Sequence, residues 1–359
     1  MSRERLVSVD AFRGATVAAM ILVNNPGDWG HIYWPLEHAA WNGWTPTDLI
    51  FPFFLFIVGV SLSFSSRDTT RAAAIRALKI FGLGFFMAFY PRFNIFTVRI
   101  PGVLPRIALC YFLAFVIRKH FPPRGVAAIA AACCLGYWAL MTLVPVPGGF
   151  PPNLEPSTNL GAWLDRLIFG NHLWVSSKTW DPEGLLSSLP ALGTTLLGCL
   201  AGSMFRSGHP PLEIVRRLVV SGFVMTVAGL AWDTVFPINK SLWTSSYVLF
   251  TAGLASITLA LFYWAADIRG HRAFFRPSVI YGVNAIVVFV ASGLLAKTMA
   301  LIKVPLGDKV VSSQVFIHRL LFESWLAPIN ASLAFALANV AGWFAVLWWM
   351  DRRGLHIKV

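Results

Sequence analysis

Long apolar stretches dominate this sequence, and polar positions are confined to short segments between them. Five stretches lack Asp, Glu, Lys, Arg and His over 20 to 26 residues; they are 125–144, 184–205, 241–266, 277–296 and 328–350. A helix needs roughly 20 residues to cross the hydrocarbon core of a bilayer. A membrane β-barrel would instead show short segments of alternating polarity. The pattern therefore predicts an all-α polytopic membrane protein.

Weaker apolar segments raise the predicted number of transmembrane helices to ten. Their approximate bounds are 9–25, 47–65, 73–91, 101–118, 125–144, 184–205, 213–234, 243–266, 277–299 and 328–350. We detect no internal repeat and no soluble module, so residues 1–359 are interpreted as one transmembrane domain. Its two longest outer-side loops are 26–46, which is rich in tryptophan, and 145–183. Within the second loop, residues 159–170 show the spacing of a short amphipathic helix.

Composition and charge support this interpretation. The chain is 57% hydrophobic and 13% charged, whereas soluble domains are about 25% charged. Of the 29 basic residues, 19 lie in alternate loops and at the two ends, including Arg3, Arg5, Arg67 and Lys358. This bias predicts cytoplasmic N- and C-termini. The same dispersal makes the net charge of +13 a topology signal and argues against a nucleic-acid partner.

Neither a metal site nor a disulfide framework is expected. The four cysteines, Cys110, Cys133, Cys134 and Cys199, all lie in predicted helices and form no CxxC pair; buried thiols of this kind act as small hydrophobic groups. Gly198 and Gly202 form a small-xxx-small pattern, which occurs both between helices of one chain and at the interface of a homodimer.

Polar residues at membrane depth are costly, so each is a functional candidate. His38 precedes span 2 and is either an interfacial aromatic residue or a catalytic group. Asn24 ends span 1, as a helix cap or as a hydrogen-bonding group for substrate. Asp48 either caps span 2 or orients the His38 imidazole.

Other polar residues lie at the ends of several predicted spans. Asp10 and Arg13, three residues apart on one helix face, form either a structural pair or part of a cofactor site. Arg106 lies one turn inside span 4 and needs an anionic partner or a hydrated cavity. The remaining candidates are Glu37 and Trp41 in loop 26–46, Asp181 and Glu183 before span 6, Asn239, Lys240, Trp243 and Ser245 around the start of span 8, and Asn284 in span 9.

Several of these segments together resemble a known family. "RLVSVDAFRG", "EHAAWNGWTPTDLIFPFFLFIVG", "RIPGVLPRIALCYF", "DPEGLLSSLPALGTTLLG", "FPINKSLWTSSYV" and "YGVNAIVVFV" occur in this order between residue 5 and about residue 295. They resemble the catalytic membrane domain of the heparan-α-glucosaminide N-acetyltransferase family, including its bacterial members. That family transfers acetyl from cytosolic acetyl-CoA to a terminal glucosamine nitrogen on the other side of the membrane.

The resemblance implies roles for particular residues. The family's active-site histidine falls on His38 and its catalytic asparagine on Asn24, with Asp48 beside them. Asp10, Arg13, Arg106 and Asn284 are then expected to bind acetyl-CoA. The acceptor amino sugar is expected to meet the other candidates, which are Glu37, Trp41, Asp181, Glu183, Asn239, Lys240, Trp243 and Ser245. A bacterial inner membrane is the expected location.

The expected reaction is acetyl transfer with His38 as general base, because imidazole titrates near neutral pH. Direct transfer in a ternary complex and a two-step route through acetyl-His38 both fit, since imidazole is also a nucleophile. Two other functions stay open: O-acetylation of surface glycans by the same base, and transport of a small anion or sugar. Transport is disfavoured by the lack of inverted repeats or paired broken helices.

Overall fold

The computed structural model describes residues 6–65 and 69–357, and this part of the chain is almost entirely helical. Of the basic residues used to predict topology, Arg3, Arg5, Arg67 and Lys358 lie outside the described residues. The α-helices are α1 (Val7–Asn24), α2 (Ile50–Leu62), α3 (Thr70–Phe89), α4 (Val103–His120), α5 (Pro123–Leu143), α6 (Leu160–Phe169), α7 (Ser188–Met204), α8 (Pro211–Asp233), α9 (Ser245–Phe262), α10 (Arg272–Val283), α11 (Ala285–Leu301), α12 (Ser313–His318) and α13 (Pro328–Arg352).

Shorter elements connect these helices. Three are 3₁₀ turns, at Trp34–Leu36, Pro46–Leu49 and Gly170–His172, and two are π-helical segments, at Tyr263–Ile268 and Arg319–Glu323. Strands β1 (Lys303–Leu306) and β2 (Lys309–Ser312) form an antiparallel hairpin that was not predicted. The predicted amphipathic helix is confirmed as α6, whose first turn is capped by the Asn159 side chain accepting from the Ala162 amide.

The predicted count of ten spans is not supported. Among the described residues, six helices are long and apolar enough to cross a bilayer; they are α1, α3, α5, α8, α13 and α9 extended to Ile268. A seventh is reached if α10 and α11, which meet at a bend of 68°, count as one broken span. The cytoplasmic placement of both termini gains no support from the structure either.

Three predicted spans fail for identifiable reasons. Segment 47–65 forms a 3₁₀ turn followed by α2, which together cover only Pro46–Leu62, and segment 184–205 shortens to the 17 residues of α7. In both, apolar residues that belong to turns extended the apparent span. Helix α4 has 18 residues but carries Arg106, Arg118 and Lys119. These three charges make it costly to place the helix in the hydrocarbon core of a bilayer.

Contacts between Cα atoms divide the chain into two compact units. Unit 1 comprises 1–39, 45–51 and 271–359, and unit 2 comprises 40–44 and 52–270. The chain therefore enters unit 2 for five residues inside loop 26–46 before it returns to unit 1. The interpretation of the chain as a single domain stays a prediction.

Unit 1 is built around α1, which packs against α10, α11 and α13. The contact with α10 is very close: a Cβ at Gly14 would lie 1.6 Å from the Ser278 carbonyl oxygen, and one at Gly282 would lie 2.0 Å from the Asp10 carbonyl oxygen. Only glycine permits this backbone approach. The packing fixes the first helix, and with it Asp10 and Arg13, against α10.

Unit 2 pairs α8 with α9, α3 with α4, and α5 with α7. A Cβ at Gly198 would lie 2.0 Å from the Phe56 carbonyl oxygen, and one at Gly202 would lie 2.7 Å from the Val60 carbonyl oxygen. The small-residue pattern of α7 therefore serves packing against α2 within the chain. It lends no support to a homodimer.

Candidate active site

His38 and Asp48 form a hydrogen-bonded pair in unit 1. The chain turns at Thr45-Pro46, and Asp48, at the third position of the 3₁₀ turn, forms a capping box with Thr45. Its Oδ2 accepts from the amides of Ala39, at 3.1 Å, and Thr45, at 3.0 Å. Its Oδ1 lies 2.7 Å from Nδ1 of His38. Asp48 therefore makes both of the contacts considered for it: Oδ2 caps the turn, and Oδ1 contacts the imidazole.

This geometry sets the tautomer of His38. An ionised carboxylate can only accept hydrogen bonds, so Nδ1 carries the proton in the Asp48 contact and Nε2 carries the lone pair of a neutral ring. The Asp48 side chain is 1% exposed and that of His38 is 47% exposed. A buried carboxylate therefore holds a ring that is itself about half exposed.

A second histidine–aspartate pair lies in the same loop. Nδ1 of His31 is 2.7 Å from Oδ2 of Asp28, and the two side chains are 52% and 40% exposed. The Gly30 amide and the His31 ring lower the pKa of Asp28 below its usual value. The carboxylate of this pair is solvated, whereas that of Asp48 is buried.

Asn24 is the last residue of α1, and its side chain is exposed with no hydrogen bond among the described residues. The capping role falls instead to Asn25, whose Nδ2 donates to the Ile21 carbonyl at 2.8 Å. Glu37 has an exposed side chain, and its carbonyl oxygen accepts from Thr45 Oγ1 at 2.6 Å. Glu37 and Thr45 thereby brace the backbone next to His38.

The other candidates of unit 1 have structural partners. Nη1 of Arg13 donates to Asp10 Oδ1 at 3.1 Å and to the Gly282 carbonyl at 3.4 Å. Asn284 lies at the bend between α10 and α11, where its Oδ1 accepts from the Ile357 amide at 3.0 Å. These contacts give Asp10, Arg13 and Asn284 structural roles in the fold. Their roles in cofactor binding stay predictions.

Unit 2 contains a buried ionic cluster around Arg99, a residue not singled out by the sequence. Nε of Arg99 donates to Asp181 Oδ2 at 2.8 Å, Nη2 donates to Asp181 Oδ1 at 2.5 Å, and Nη2 also contacts the Glu183 carboxylate. Burial opposes the charge of Arg99, but the two carboxylates outweigh it and raise its pKa. Asp181 and Glu183, expected to bind the acceptor, are thus already paired with a cation.

Arg106 lies beside this cluster and is 2% exposed. Its Nη2 donates to the Gly184 carbonyl at 2.9 Å and to Ser187 Oγ. The guanidinium lies over the Trp243 ring, with 5.2 Å from Cζ to the ring centroid. Trp243 has a positive φ of 52° and donates from Nε1 to Thr194 Oγ1 at 3.1 Å. This aromatic contact partly compensates a buried cation that has no ion pair within 4 Å among the described residues.

Three of the remaining candidates of unit 2 form hydrogen bonds between segments that are far apart in the sequence. Trp41 donates from Nε1 to the Leu154 carbonyl at 3.1 Å and packs edge-on against Trp180. Asn239 is fully buried and donates to the Asn42 side chain at 3.1 Å. Ser245 starts α9 and donates to the Cys134 carbonyl at 2.6 Å, while Lys240 is half-buried.

The structure thus brings the candidates together in two groups. In unit 1, His38, Asp48 and Glu37 share one loop, and in unit 2, Asp181, Glu183, Arg106 and Trp243 share another region. Arg99 could have been suspected from the sequence, since it precedes "IPG" beside a predicted span, but its acidic partners lie more than 80 positions away. No group of three or more potential metal ligands occurs within residues 6–65 and 69–357.

Comparison with known proteins confirms the resemblance. A family model described as "Heparan-alpha-glucosaminide N-acetyltransferase, catalytic" matches residues 5–216. The heparan-alpha-glucosaminide N-acetyltransferase of Mus musculus is 28% identical over 362 residues, which cover 82% of this chain and 54% of the relative. That of Homo sapiens is 28% identical over 354 residues, covering 80% and 52%.

The chain therefore spans about half the length of the curated relatives it matches. The family model, in contrast, covers more than half of this chain and includes the segment of His38, Asp48, Arg99 and Asp181. This multi-pass membrane protein belongs to the heparan-alpha-glucosaminide N-acetyltransferase catalytic-domain family, a family of acetyl-CoA-dependent N-acetyltransferases.

Proposed function

We propose that this protein transfers acetyl from cytoplasmic acetyl-CoA to the amino group of a glucosamine-type sugar on the extracytoplasmic side of a bacterial inner membrane. The observation that carries the proposal is the His38–Asp48 pair. Its 2.7 Å hydrogen bond joins a buried carboxylate to a half-exposed imidazole. This pair supports a role for His38 as general base, because a general base must be held in one orientation and be accessible to the reactant.

His38 acts on the acceptor amine. Nε2 takes a proton from the sugar nitrogen as that nitrogen attacks the thioester carbonyl carbon. A C–N bond forms, the C–S bond breaks, and the proton held by His38 passes to the departing coenzyme A sulfur. Asp48 stabilises the imidazolium that exists between these two proton transfers, and general acid–base catalysis of this kind contributes roughly 10²–10⁴-fold.

Asn24 stabilises the acetyl carbonyl in this proposal. An amide N–H can donate to the oxygen that gains negative charge when the carbonyl carbon becomes tetrahedral. The exposed side chain of Asn24 has no competing hydrogen bond among the described residues. Its position at the end of α1 leaves it able to meet a substrate.

The donor and acceptor contacts follow the same proposal. Arg13, whose side chain is 24% exposed, is the cation best suited to a coenzyme phosphate, with Asp10 fixing its position and Asn284, also in unit 1, as a further contact. The acceptor meets Glu37 and Trp41 next to His38 in the chain. Acceptor binding by the candidates of unit 2 stays a prediction; they are Asp181, Glu183, Asn239, Lys240, Trp243 and Ser245.

Purified protein in nanodiscs tests the activity. We expect glucosamine to stimulate thiol release from acetyl-CoA and N-acetylglucosamine, which lacks a free amine, to leave it at the background rate. Thiol release with both sugars would establish O-acetylation instead, and release with neither would overturn the proposal.

A matched pair of substitutions tests the base. His38→Ala is expected to lower turnover about 10³-fold, whereas His31→Ala, which removes the solvated pair of the same loop, keeps turnover within about two-fold. Incubation of wild-type protein with radiolabelled acetyl-CoA alone should leave the protein unlabelled. Label retained by wild-type protein and lost in His38→Ala would replace direct transfer with the acetyl-histidine route.

A further inference from the structure

Unit 2 contains a large apolar cavity beside Arg106. Its volume is about 420 Å³, within the roughly 300–1,000 Å³ of small-molecule sites. Helices α3 and α4 supply most of its walls, including Ala77, Leu78, Phe81 and Leu109. Arg106 and Glu183 are its charged lining residues. A sugar or a coenzyme phosphate needs many polar partners, so these walls fit an apolar ligand.

Exposed apolar side chains form part of the rim of the cavity. Leu78 is 69% exposed, and Phe81 and Leu109 are each 39% exposed. Helix α3 is one of the helices long and apolar enough to cross the bilayer. Exposed apolar side chains on such a helix meet acyl chains, so the cavity is accessible from the bilayer.

Arg106 has hydrogen-bond donors that nothing in the described chain satisfies. Its Nη2 is occupied by Gly184 and Ser187, but the buried Nε and Nη1 make no hydrogen bond to any described residue. Trp243 covers a face of the guanidinium and offers no acceptor for N–H groups in its plane. An unmade hydrogen bond of a buried charged group is costly, so an acceptor oxygen arriving through the cavity would stabilise this residue.

The surrounding charges select a neutral acceptor. Arg99 is paired with Asp181 and Glu183, so Arg106 and Arg99 are balanced by two carboxylates. Asp165 packs against Gly184 and adds a further acidic group. Because Glu183 also lines the cavity, a free carboxylate or phosphate next to Arg106 would be repelled by it. An ester carbonyl brings oxygen without charge.

We propose that this cavity binds one acyl chain of a membrane phospholipid, with the ester carbonyl of that chain accepting a hydrogen bond from Arg106. Arg106 lies in the first turn of α4, which packs against α3 near the end of that helix: a Cβ at Gly84 would lie 2.5 Å from Pro105 Cδ. Helix α3 is long and apolar enough to cross the bilayer, and phospholipid esters lie near the ends of such helices. The bound lipid completes the surroundings of Arg106 next to the Arg99 cluster. This proposal does not depend on acetyl transfer.

Photolabelling of the full-length protein tests it. Nanodiscs would carry a phosphatidylcholine with a diazirine on one acyl chain, or in parallel a diazirine fatty acid with a free carboxylate. Ala77→Phe fills the cavity, and Ala128→Phe, on the exposed face of α5, is the matched control. Labelled peptides are identified by mass spectrometry.

The ester lipid is expected to label the wall segments 74–81 and 105–112 in wild-type protein and in Ala128→Phe. Ala77→Phe should lose that label, and Arg106→Leu should lose it without losing helical content. Label that persists in Ala77→Phe would overturn the proposal. Preferential labelling by the fatty acid would overturn the assignment of a neutral ester head.

Discussion

Each of the two units contains a cluster in which buried carboxylates hold a basic side chain, but the basic side chains differ in type and in exposure. In unit 1, the buried carboxylate of Asp48 holds a half-exposed His38. In unit 2, the buried carboxylates of Asp181 and Glu183, which are 0% and 9% exposed, enclose the Arg99 guanidinium. The first cluster contains a half-exposed titratable ring, that of His38. In the second, the Arg99 cation and the two carboxylates are paired with each other.

The comparison shows that a buried carboxylate can either complete a closed ion pair or hold a side chain that stays accessible. A closed ion pair has little capacity to bind another ion, because its charges already interact at short distance. A carboxylate that anchors a neutral imidazole leaves a lone pair for chemistry. The catalytic expectation therefore belongs to His38 and Asp48, and Asp181 and Glu183 belong first to the architecture of the loop before α7.

The Arg99 cluster gives the largest expected effect on stability. Arg99→Gln leaves Asp181 and Glu183 buried without their cation, which typically costs about 3–5 kcal/mol. We expect a marked fall in the thermal unfolding temperature of the purified protein. The control is Arg216→Gln, which breaks an exposed pair with Glu213 and should leave the unfolding temperature nearly unchanged, because exposed ion pairs contribute little to stability. Equal shifts for the two variants would contradict a structural role for the Arg99 cluster.

The Asp48 carboxylate gives the largest expected effect on catalysis after His38 itself. Asp48→Asn keeps an acceptor for backbone amides but removes the negative charge next to the imidazolium, so turnover should fall about 10²–10³-fold. Asp28→Asn, at the solvated pair, should leave turnover within about two-fold. Thiol release and thermal unfolding measured on the same samples separate loss of chemistry from loss of fold. Unchanged turnover in Asp48→Asn would limit Asp48 to capping.

The pattern of apolar residues predicted where most helices lie. It overestimated how many of these helices are long and apolar enough to cross the membrane. Segment 73–91 corresponds to α3 and 213–234 to α8, each within three residues. Segment 277–299 concealed the 68° bend at Asn284, because apolar residues continue through the bend and only the contacts of Asn284 with the C-terminal segment reveal it. Turn residues next to α2 and α7 are also apolar, so hydropathy could not find the ends of those helices.

The site was predicted unevenly for a physical reason. His38, Asp48 and the Thr45 turn are near neighbours in the sequence, so local spacing suggested both roles of Asp48. Arg99 and Asp181 are 82 positions apart, and only folding shows that they pair. The surroundings of Arg106 depend in the same way on residues far from it in the sequence, Gly184, Ser187 and Trp243.

The smallest expected effect concerns Asp165 on α6, next to the Arg99 cluster. Burial, with a further contribution from Asp181, raises the pKa of Asp165 to about 6, despite hydrogen bonds from backbone amides that favour its charge. The unfolded chain has the lower pKa, 3.8, so between these values the folded state holds more protons. The contribution of Asp165 to stability is therefore greatest below about pH 4 and is lost as the pH rises through 6, by at most about 3 kcal/mol.

Asp165→Asn removes this titration while keeping an oxygen for the Leu185 amide, which donates to Asp165 Oδ1 at 2.9 Å. Unfolding temperatures of the wild type and of the variant, measured from pH 4.5 to pH 7.5, should converge at the acidic end and separate at the neutral end, with the variant more stable there. A constant difference across the range would mean that Asp165 stays ionised throughout. The charge balance around Arg106 would then be more negative, which would strengthen the selection of an uncharged ligand head in the neighbouring cavity.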